Sequence, residues 1–453
     1  MKPITRRRFL SDSAASVGVW GAAAAVSAIK PNRAVAADSA NDRVVLALIG
    51  AGGRGTAHAL GLAALPNVLF KSICDVSPDR AASIARQLEK NSPKAPKPLT
   101  DLRQVLDDNE INAVVIATPE QWHALATVWA CQAGKDVYVE KNPSLSIWEG
   151  RKMIQAARKY NRIVQTGFQN RSAPYAFTAR DYINSGKLGK VVHVKVYNML
   201  NGSPWKPQPD SDPPPGLDWD RWLGPAPKVP YNRGRHSGWT DFYDYCGGAL
   251  SGDASHQLDL ARMVLGDPPP PKAAYCAGGN FAFHSQRPTP ESQIVTYEFP
   301  DFTMTCDHCT FPPYMRKSNA DERYGKKFPY WPQNNERIEI YGTKQMMYLG
   351  RHGVGWQVFE AEGKLVAEEK GYHPDKWHQP NFIDSIRTRK LPNADIEQAH
   401  HSANLVHMGN IAYLLGNQRI AFDSKTETFP GNDAANRLLR PPYRDGFRVP
   451  DEV

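Results

Sequence analysis

Cysteine is scarce. Six occur in 453 residues, too few in so long a chain for a disulfide framework. Cys74 and Cys131 fall in apolar strand and helix patterns and read as buried thiols. Cys306 and Cys309 have a metal-like spacing, but no second pair accompanies them, and a zinc site needs three or four ligands. No metal is assigned, and a loop disulfide between the two stays open. Long apolar runs are also missing. Beyond residue 36 nothing approaches the ~20 residues of a membrane span, so a chain without its leader is expected to be soluble. There is no basic block or stripe of the kind nucleic acid requires. Of the formal net charge of +9, residues 1–36 carry +5 (Lys2, Arg6, Arg7, Arg8, Lys30 and Arg33 against Asp12), which leaves +4. Internal repeats are absent.

What is present begins with a leader. Thr5-Arg6-Arg7-Arg8-Phe9-Leu10 precedes an apolar stretch from about Ala14 to Ile29, and Ala34-Val35-Ala36 forms a small-x-small cleavage site. Basic, apolar and cleavage regions in that order read as a signal peptide of the twin-arginine type. The expectation is export of an already folded protein by the twin-arginine machinery to the periplasm. The remaining length fits two domains, 37–166 and 167–453.

Residues 43–166 alternate short apolar runs with helical patterns, the signature of a parallel sheet with crossover helices. Strands are expected at 43–49, 68–74, 112–117, 136–139 and 162–166. Helices are expected near 54–65, 78–90, 101–107, 120–133 and 147–160. The first strand runs into Gly50-Ala51-Gly52-Gly53-Arg54-Gly55. In such a turn Gly50 permits the bend, Gly52 lets backbone approach a pyrophosphate, and Gly55 packs helix against strand. Gly53 and Arg54 open a helix whose free N–H groups and dipole attract phosphate. Asp75 lies twenty residues past Gly55 at the end of the second strand, where a carboxylate takes ribose hydroxyls. That favours NAD; Arg80 nearby keeps NADP possible. Ala117-Thr118-Pro119-Glu120-Gln121-Trp122-His123 and Tyr138-Val139-Glu140-Lys141-Asn142-Pro143 end the next strands, at the edge where open α/β sheets bind ligands. Thr118, Pro119, His123 and Glu140 are therefore candidate cofactor contacts.

With Glu140-Lys141 on the page, the chain resembles the Gfo/Idh/MocA oxidoreductases, the glucose-fructose oxidoreductase and inositol dehydrogenase family. The glycine turn, Asp75, ATPEQWH, VYVEK, WEGRKM, QTGFQNRSAP and GGALSGDASHQLDLARMVLG carry the resemblance, in order, over nearly the whole chain after the leader. It implies an α/β fold: an N-terminal Rossmann parallel sheet, then a C-terminal α+β domain with an open, mostly antiparallel sheet. It also implies hydride transfer between NAD(P) and a sugar or cyclitol, and a homo-oligomer joined through that open sheet. The family's lysine is followed by proline; here Asn142 intervenes. The family's Asp and His are commonly four apart; Asp253 and His256 are three apart, still on one helical face.

Oxidation of an alcohol needs a base for the hydroxyl proton. His256 has the right intrinsic acidity for it. Lys141 can donate to the same oxygen, and Asp253 can orient the histidine or bind a neighbouring hydroxyl. Gln169, Arg171 and Trp122 are candidate substrate contacts. The Trp-rich segment 200–245, including Trp205, Trp219, Trp222 and Trp239, suits either sugar faces or an oligomer contact. His400, His401 and His407 follow helical spacing and read as packing. Further strands are expected at 190–198, 271–278, 292–299, 302–310, 336–341, 345–349 and 355–369, a helix at 398–416, and a surface arm after 429. An exported enzyme finds little free nucleotide, so a tightly held cofactor is expected. Two alternatives stand: an NAD-dependent glycosidase that works by transient oxidation, and a non-catalytic sugar-binding relative.

Overall fold

Val44-Val45-Leu46-Ala47-Leu48-Ile49 is a continuous apolar run because both of its faces are covered. In the computed structural model, which describes residues 43–89 and 95–453, Ala47 and Ile49 join one core and Leu46 and Leu48 another. This is the signature of a central parallel strand. It is β1 (Val44–Ile49), followed by β2 (Val68–Cys74), β3 (Lys97–Leu99), β4 (Ala113–Ile116), β5 (Asp136–Val139) and β6 (Val164–Thr166). All are parallel, in the order β3-β2-β1-β4-β5-β6. The order reverses between β1 and β4, so a crevice opens at their carboxyl ends. The short edge strand β3 was not expected.

The second sheet has nine strands: β7 (Val191–Met199), β8 (Ala273–Gly279), β9 (Ser292–Glu298), β10 (Thr303–Cys309), β11 (Arg337–Gly342), β12 (Met346–Gly350), β13 (Gly355–Phe359), β14 (Leu365–Glu369) and β15 (Arg419–Ala421). Their order is β14-β13-β12-β11-β7-β10-β9-β8-β15. Every pairing is antiparallel except β7 with β10. Alternation sets the two faces. Val194, Val196, Val295, Tyr297, Met304, Ile338, Ile340 and Met347 enter one apolar core, while Tyr275 and Ile294 stay exposed on the other side. The expected mixed fold is thus observed. The run 355–369 is two strands, because Glu362 and Gly363 turn the chain with positive φ.

Helix Ile396–Leu414 serves both sheets: Ile396 sits in a core of the first, and Leu405, Val406 and Met408 in that of the second. Helix Asp375–Thr388 also returns to the first sheet through Phe382 and Ile383. The segment after 429 is no free arm. Val449 is fully buried against the first sheet's core, Tyr443 donates to Glu149 at 2.8 Å, and the Arg444 guanidinium pairs with Asp220 at 2.7 Å. Among the described residues no helix is long and apolar enough to cross a membrane. The leader, residues 1–36, lies outside the described residues.

Candidate active site

At the end of β1, Gly50 turns with φ of 95°, and a Cβ there would lie 2.7 Å from the Ala117 carbonyl. Gly55 faces the Gly50 carbonyl so closely that a Cβ would overlap it. Gly52 and Gly53 differ: a Cβ on either meets nothing within 4 Å. The first two glycines therefore let protein pack on protein, and the second two border open space. That space is a cleft of about 640 Å³. The helix starting at Gly53 has no side-chain cap, so its first N–H groups point at the cleft free of internal partners. Thr118 and Pro119 line the far wall, and the buried Thr118 hydroxyl has no hydrogen-bond partner. Open space at the glycines, an uncapped helix start and an orphaned hydroxyl fit a dinucleotide.

Asp75 lines the same cleft but also holds the turn together, accepting from Ala51 N at 2.7 Å and Ser77 N at 2.8 Å. Three expected cofactor contacts are occupied within the protein. The Arg54 guanidinium donates to Glu140 at 2.8 Å and to both Asp375 oxygens at 3.1 and 3.2 Å, so it ties the glycine turn to helix Asp375–Thr388 rather than standing free for phosphate. Glu140 accepts from Arg54, from His58 at 2.6 Å and from Gln169 at 3.3 Å. Burial alone would raise its pKa, but Arg54 and His58 hold the carboxyl well below the usual range. A Cβ on Gly167 would touch that carboxylate at 2.8 Å, so the site is built around an ion cluster. His123 is buried with its ring nitrogens 2.7 and 2.9 Å from the Asn142 and Thr118 carbonyls. It is a strut between two loops and has no nitrogen left for a cofactor. Burial pushes its pKa down, although the two carbonyls oppose this.

The chemistry-bearing side chains do come together. Lys141 follows β5, the Lys141–Asn142 peptide is cis, and the Lys141 ammonium donates to the Gly252 carbonyl. Gly252 and Asp253 lie in a π-helical turn, Leu250–Ala254, that feeds helix Ser255–Val264. Such turns break regular spacing and recur at functional sites. Asp253 is gripped by Arg351 at 2.6 Å and Lys317 at 2.8 Å. Burial would raise its pKa, but these two cations and Lys141 push it far down. It is a fixed anion and not a proton acceptor. His256 is buried, its ring edge-on to His352 at 4.7 Å and to Phe168 at 6.2 Å. Its Nδ1 has no partner. Burial, then Lys141 and Arg351, hold it well below the ordinary histidine value. A neutral imidazole with an unused nitrogen beside an ammonium group can take a hydroxyl proton while the ammonium stabilises the oxygen.

Several contributors escaped the sequence reading. Buried Arg351 joins the part-exposed Asp253 to the buried Glu336. Glu120 sits behind Lys141, accepting from the Ser251 hydroxyl at 2.8 Å and Cys246 at 3.3 Å. Burial raises it above a normal carboxyl, against the pull of Lys141. The only available signal was the position of Glu120 inside ATPEQWH; Arg351 and Glu336 had none, since both flank strands in turns with no motif around them.

The expected substrate contacts already have partners within the protein. Arg171 is buried and pairs with Asp259 at 2.7 Å and Asp267 at 2.8 Å. Gln169 donates to the Tyr138 hydroxyl at 3.1 Å behind Glu140. Trp122 lines the cleft, and its indole N–H donates to the Arg221 carbonyl at 3.0 Å. Each is a polar joint within the protein. The tryptophans of segment 200–245 mostly satisfy one another. Trp219 and Trp222 stack at 4.6 Å inside a small core with Phe242 and Tyr245, and this core forms the outer wall of the cleft through Trp222, Tyr231 and Trp239. Cys306 and Cys309 are free and buried on β10. Three residues apart on a strand, they face opposite sides, which excludes the loop disulfide. His400 and His401 lie near Glu427, but that carboxylate already accepts from Arg151 at 2.6 Å and His400 at 2.7 Å.

A Rossmann crevice with a glycine turn, joined to a lysine and an unpaired histidine, defines an NAD-binding oxidoreductase. The comparisons agree. Residues 44–168 match the NAD-binding Rossmann fold of the oxidoreductase family, and residues 178–272 and 342–449 match that family's C-terminal alpha/beta domain. The chain belongs to the Gfo/Idh/MocA oxidoreductase family. It is 28% identical to levoglucosan dehydrogenase of Pseudarthrobacter phenanthrenivorans over 49% of this chain and 50% of that one. It is 32% identical to scyllo-inositol 2-dehydrogenase (NAD(+)) of Bacillus subtilis over 49% and 54%. The chain thus spans about half the length of these curated relatives. Among solved structures, the aldose-aldose oxidoreductase of Caulobacter crescentus superposes with a TM-score of 0.63 at 16% identity, covering 84% of this chain and 100% of that one. Levoglucosan dehydrogenase with NADH and levoglucosan superposes with 0.61 at 19%, covering 84% and 99%.

Proposed function

We infer that this chain is an exported dehydrogenase that oxidises or reduces a sugar or cyclitol at one carbon and keeps its NAD tightly bound. The carrying observation is the unpaired, buried Nδ1 of His256 beside Lys141. When bound, NAD supplies the two-electron partner for a carbon–oxygen centre. His256 takes the hydroxyl proton in the oxidative direction and returns it in the other. Lys141 donates to the oxygen that gains charge. Asp253, locked by Arg351 and Lys317, keeps the helix start and the ammonium in place. Fixed groups of this kind need no reorganisation during reaction.

Two further observations support parts of this reading. The outer wall of the cleft is pinned to the nucleotide domain by Gln121 and Trp122, whose side-chain N–H groups donate to the Trp222 carbonyl at 3.1 and 3.2 Å. Asp218 N donates to the Val76 carbonyl at 3.2 Å, and Phe447 adds to the same wall. A nucleotide under that wall leaves only when the wall shifts, which suits a cofactor carried through export. The twin-arginine leader supports the periplasmic destination. Exposed Tyr275 and Ile294 on the uncovered sheet face support a homo-oligomer.

The test is direct. Full-length protein purified without added nucleotide is denatured, and the released nucleotide is identified by mass. The absorbance of reduced nicotinamide is followed in the native protein on addition of sugars and cyclitols. Stoichiometric NAD that changes redox state with one of them is the expected result. An empty protein refutes tight retention. Bound nucleotide that no sugar or cyclitol reduces or oxidises refutes the dehydrogenase reading.

A further inference from the structure

A second cavity of about 600 Å³ adjoins the catalytic groups, bounded at one end by Gly252 and Asp253. Gly252 is the residue whose carbonyl receives Lys141, so this cavity lies one residue's backbone away from that ammonium. Its size lies within the usual range for small-molecule sites, ~300–1,000 Å³. Its walls come from the chain leaving β7, where Trp205 offers an apolar plane, and from Thr240, Thr310, Arg287 and Lys317.

The charge balance of this cavity is uneven. Lys206, Arg287 and Lys317 line it against only Asp241 and Asp253. Asp253 is shared between Lys317 and the buried Arg351, whose other partner is Glu336. Arg287 pairs with Asp241 and donates to the Thr310 hydroxyl at 3.2 Å. Its Nε is buried and has no partner. A buried N–H of a cation with nothing to receive it is costly unless a ligand supplies an acceptor. With both terminal nitrogens engaged, Nε is the one donor left on Arg287, and a charged acceptor makes the stronger bond to it. Lys317 is half exposed across the same space, free to swing between Asp253 and a second anion.

We propose that this cavity selects a sugar bearing a carboxylate, an aldonic or uronic acid, with the acid group held by Arg287 and Lys317 and the carbon to be oxidised presented to His256 and Lys141. The proposal rests on the dehydrogenase reading and narrows its substrate. The two cations are positioned to bind and do not take part in the proton movement.

The test pairs acids with their neutral counterparts, glucuronate and gluconate against glucose, using nucleotide-loaded full-length protein, its Arg287→Gln and Lys317→Gln variants, and Arg287→Lys as the charge-keeping control. The expected result is a KM for one of the acids at least tenfold below that for glucose. Arg287→Gln raises the acid's KM about ten- to hundredfold, the range of one charge-assisted hydrogen bond. It leaves that for glucose unchanged, and Arg287→Lys restores part of the preference. Equal KM values for acid and neutral sugar, or loss of both in Arg287→Gln with nucleotide still bound, overturn the proposal. Failure of every sugar to change the redox state of bound nucleotide overturns the dehydrogenase reading, and this proposal with it.

Discussion

Replacement of His256 by glutamine separates catalysis from stability, because the ring is tied to the protein so weakly. Its Nδ1 makes no hydrogen bond, and its ring contacts are edge-on to Phe168 and His352. Loss of those contacts costs about 0.5–1.5 kcal/mol each, and the change removes no internal hydrogen bond at Nδ1. The glutamine amide can still bond to a substrate hydroxyl, but it cannot accept a proton. A positioned general base contributes ~10²–10⁴ in rate, about 3–5 kcal/mol of barrier. The expected outcome is a drop of that size in the single-turnover rate of nucleotide reduction, with KM nearly unchanged and a thermal midpoint within a few degrees of the parent. Rapid mixing of nucleotide-loaded protein with sugar gives the rate, and a thermal scan gives the midpoint. A rate loss below about tenfold refutes the role of His256 as base. A collapse of folding or of nucleotide content refutes the claim that the ring is structurally unburdened.

The pH profile follows from the same environment. His256 is held well below 6.5, so the oxidation rate should stay level as pH falls through 6.5 and decline only well below it. In Lys141→Met the decline should begin at higher pH, since one cation that depresses the imidazole is gone. Stability carries a related signature. Burial holds His308 and His378 down at about 4 in the folded protein. The unfolded chain therefore binds protons first, and stability present above about pH 6.5 is lost as pH falls towards 4, by up to roughly 3 kcal/mol per histidine. Urea titrations across that range measure it. Gly50→Ala should cost about 2–5 kcal/mol, from a positive φ and a clash with the Ala117 backbone, and should strip the nucleotide; denaturant midpoints and nucleotide content read both. Arg171→Met should destabilise by ~3–5 kcal/mol by leaving Asp259 unpaired in the interior, while KM in the folded fraction stays put. Truncation after Arg440 removes Phe447 from the cleft wall, and the nucleotide dissociation rate should rise at least about tenfold, the worth of burying part of one ring.

Much of the nucleotide half was legible because its information is local. A strand buried on both faces must be apolar throughout, and a turn that presses backbone on backbone must use glycine at Gly50 and Gly55. The helix of Asp253 and His256 was legible through resemblance. Roles were less legible than positions. Arg54, Glu140, His123, Gln169 and Arg171 all sit near the crevice, yet each is spent on another part of the protein. Their partners, Asp375 for Arg54 and Asp259 with Asp267 for Arg171, come from distant stretches that no local pattern connects. The same holds for Arg351, which holds Asp253 and Glu336 together from the turn after β12.

The sequence by itself determined the two sheets and the glycine turn, since backbone sterics and hydrophobic alternation act over a few residues, while the lysine, aspartate and histidine were singled out through resemblance. Only the tertiary structure decided which charged groups are already satisfied and which remain free. The desolvation of a buried polar group is offset by whatever partner the fold delivers, and that partner was hundreds of residues away for Arg54 and absent for the Nδ1 of His256.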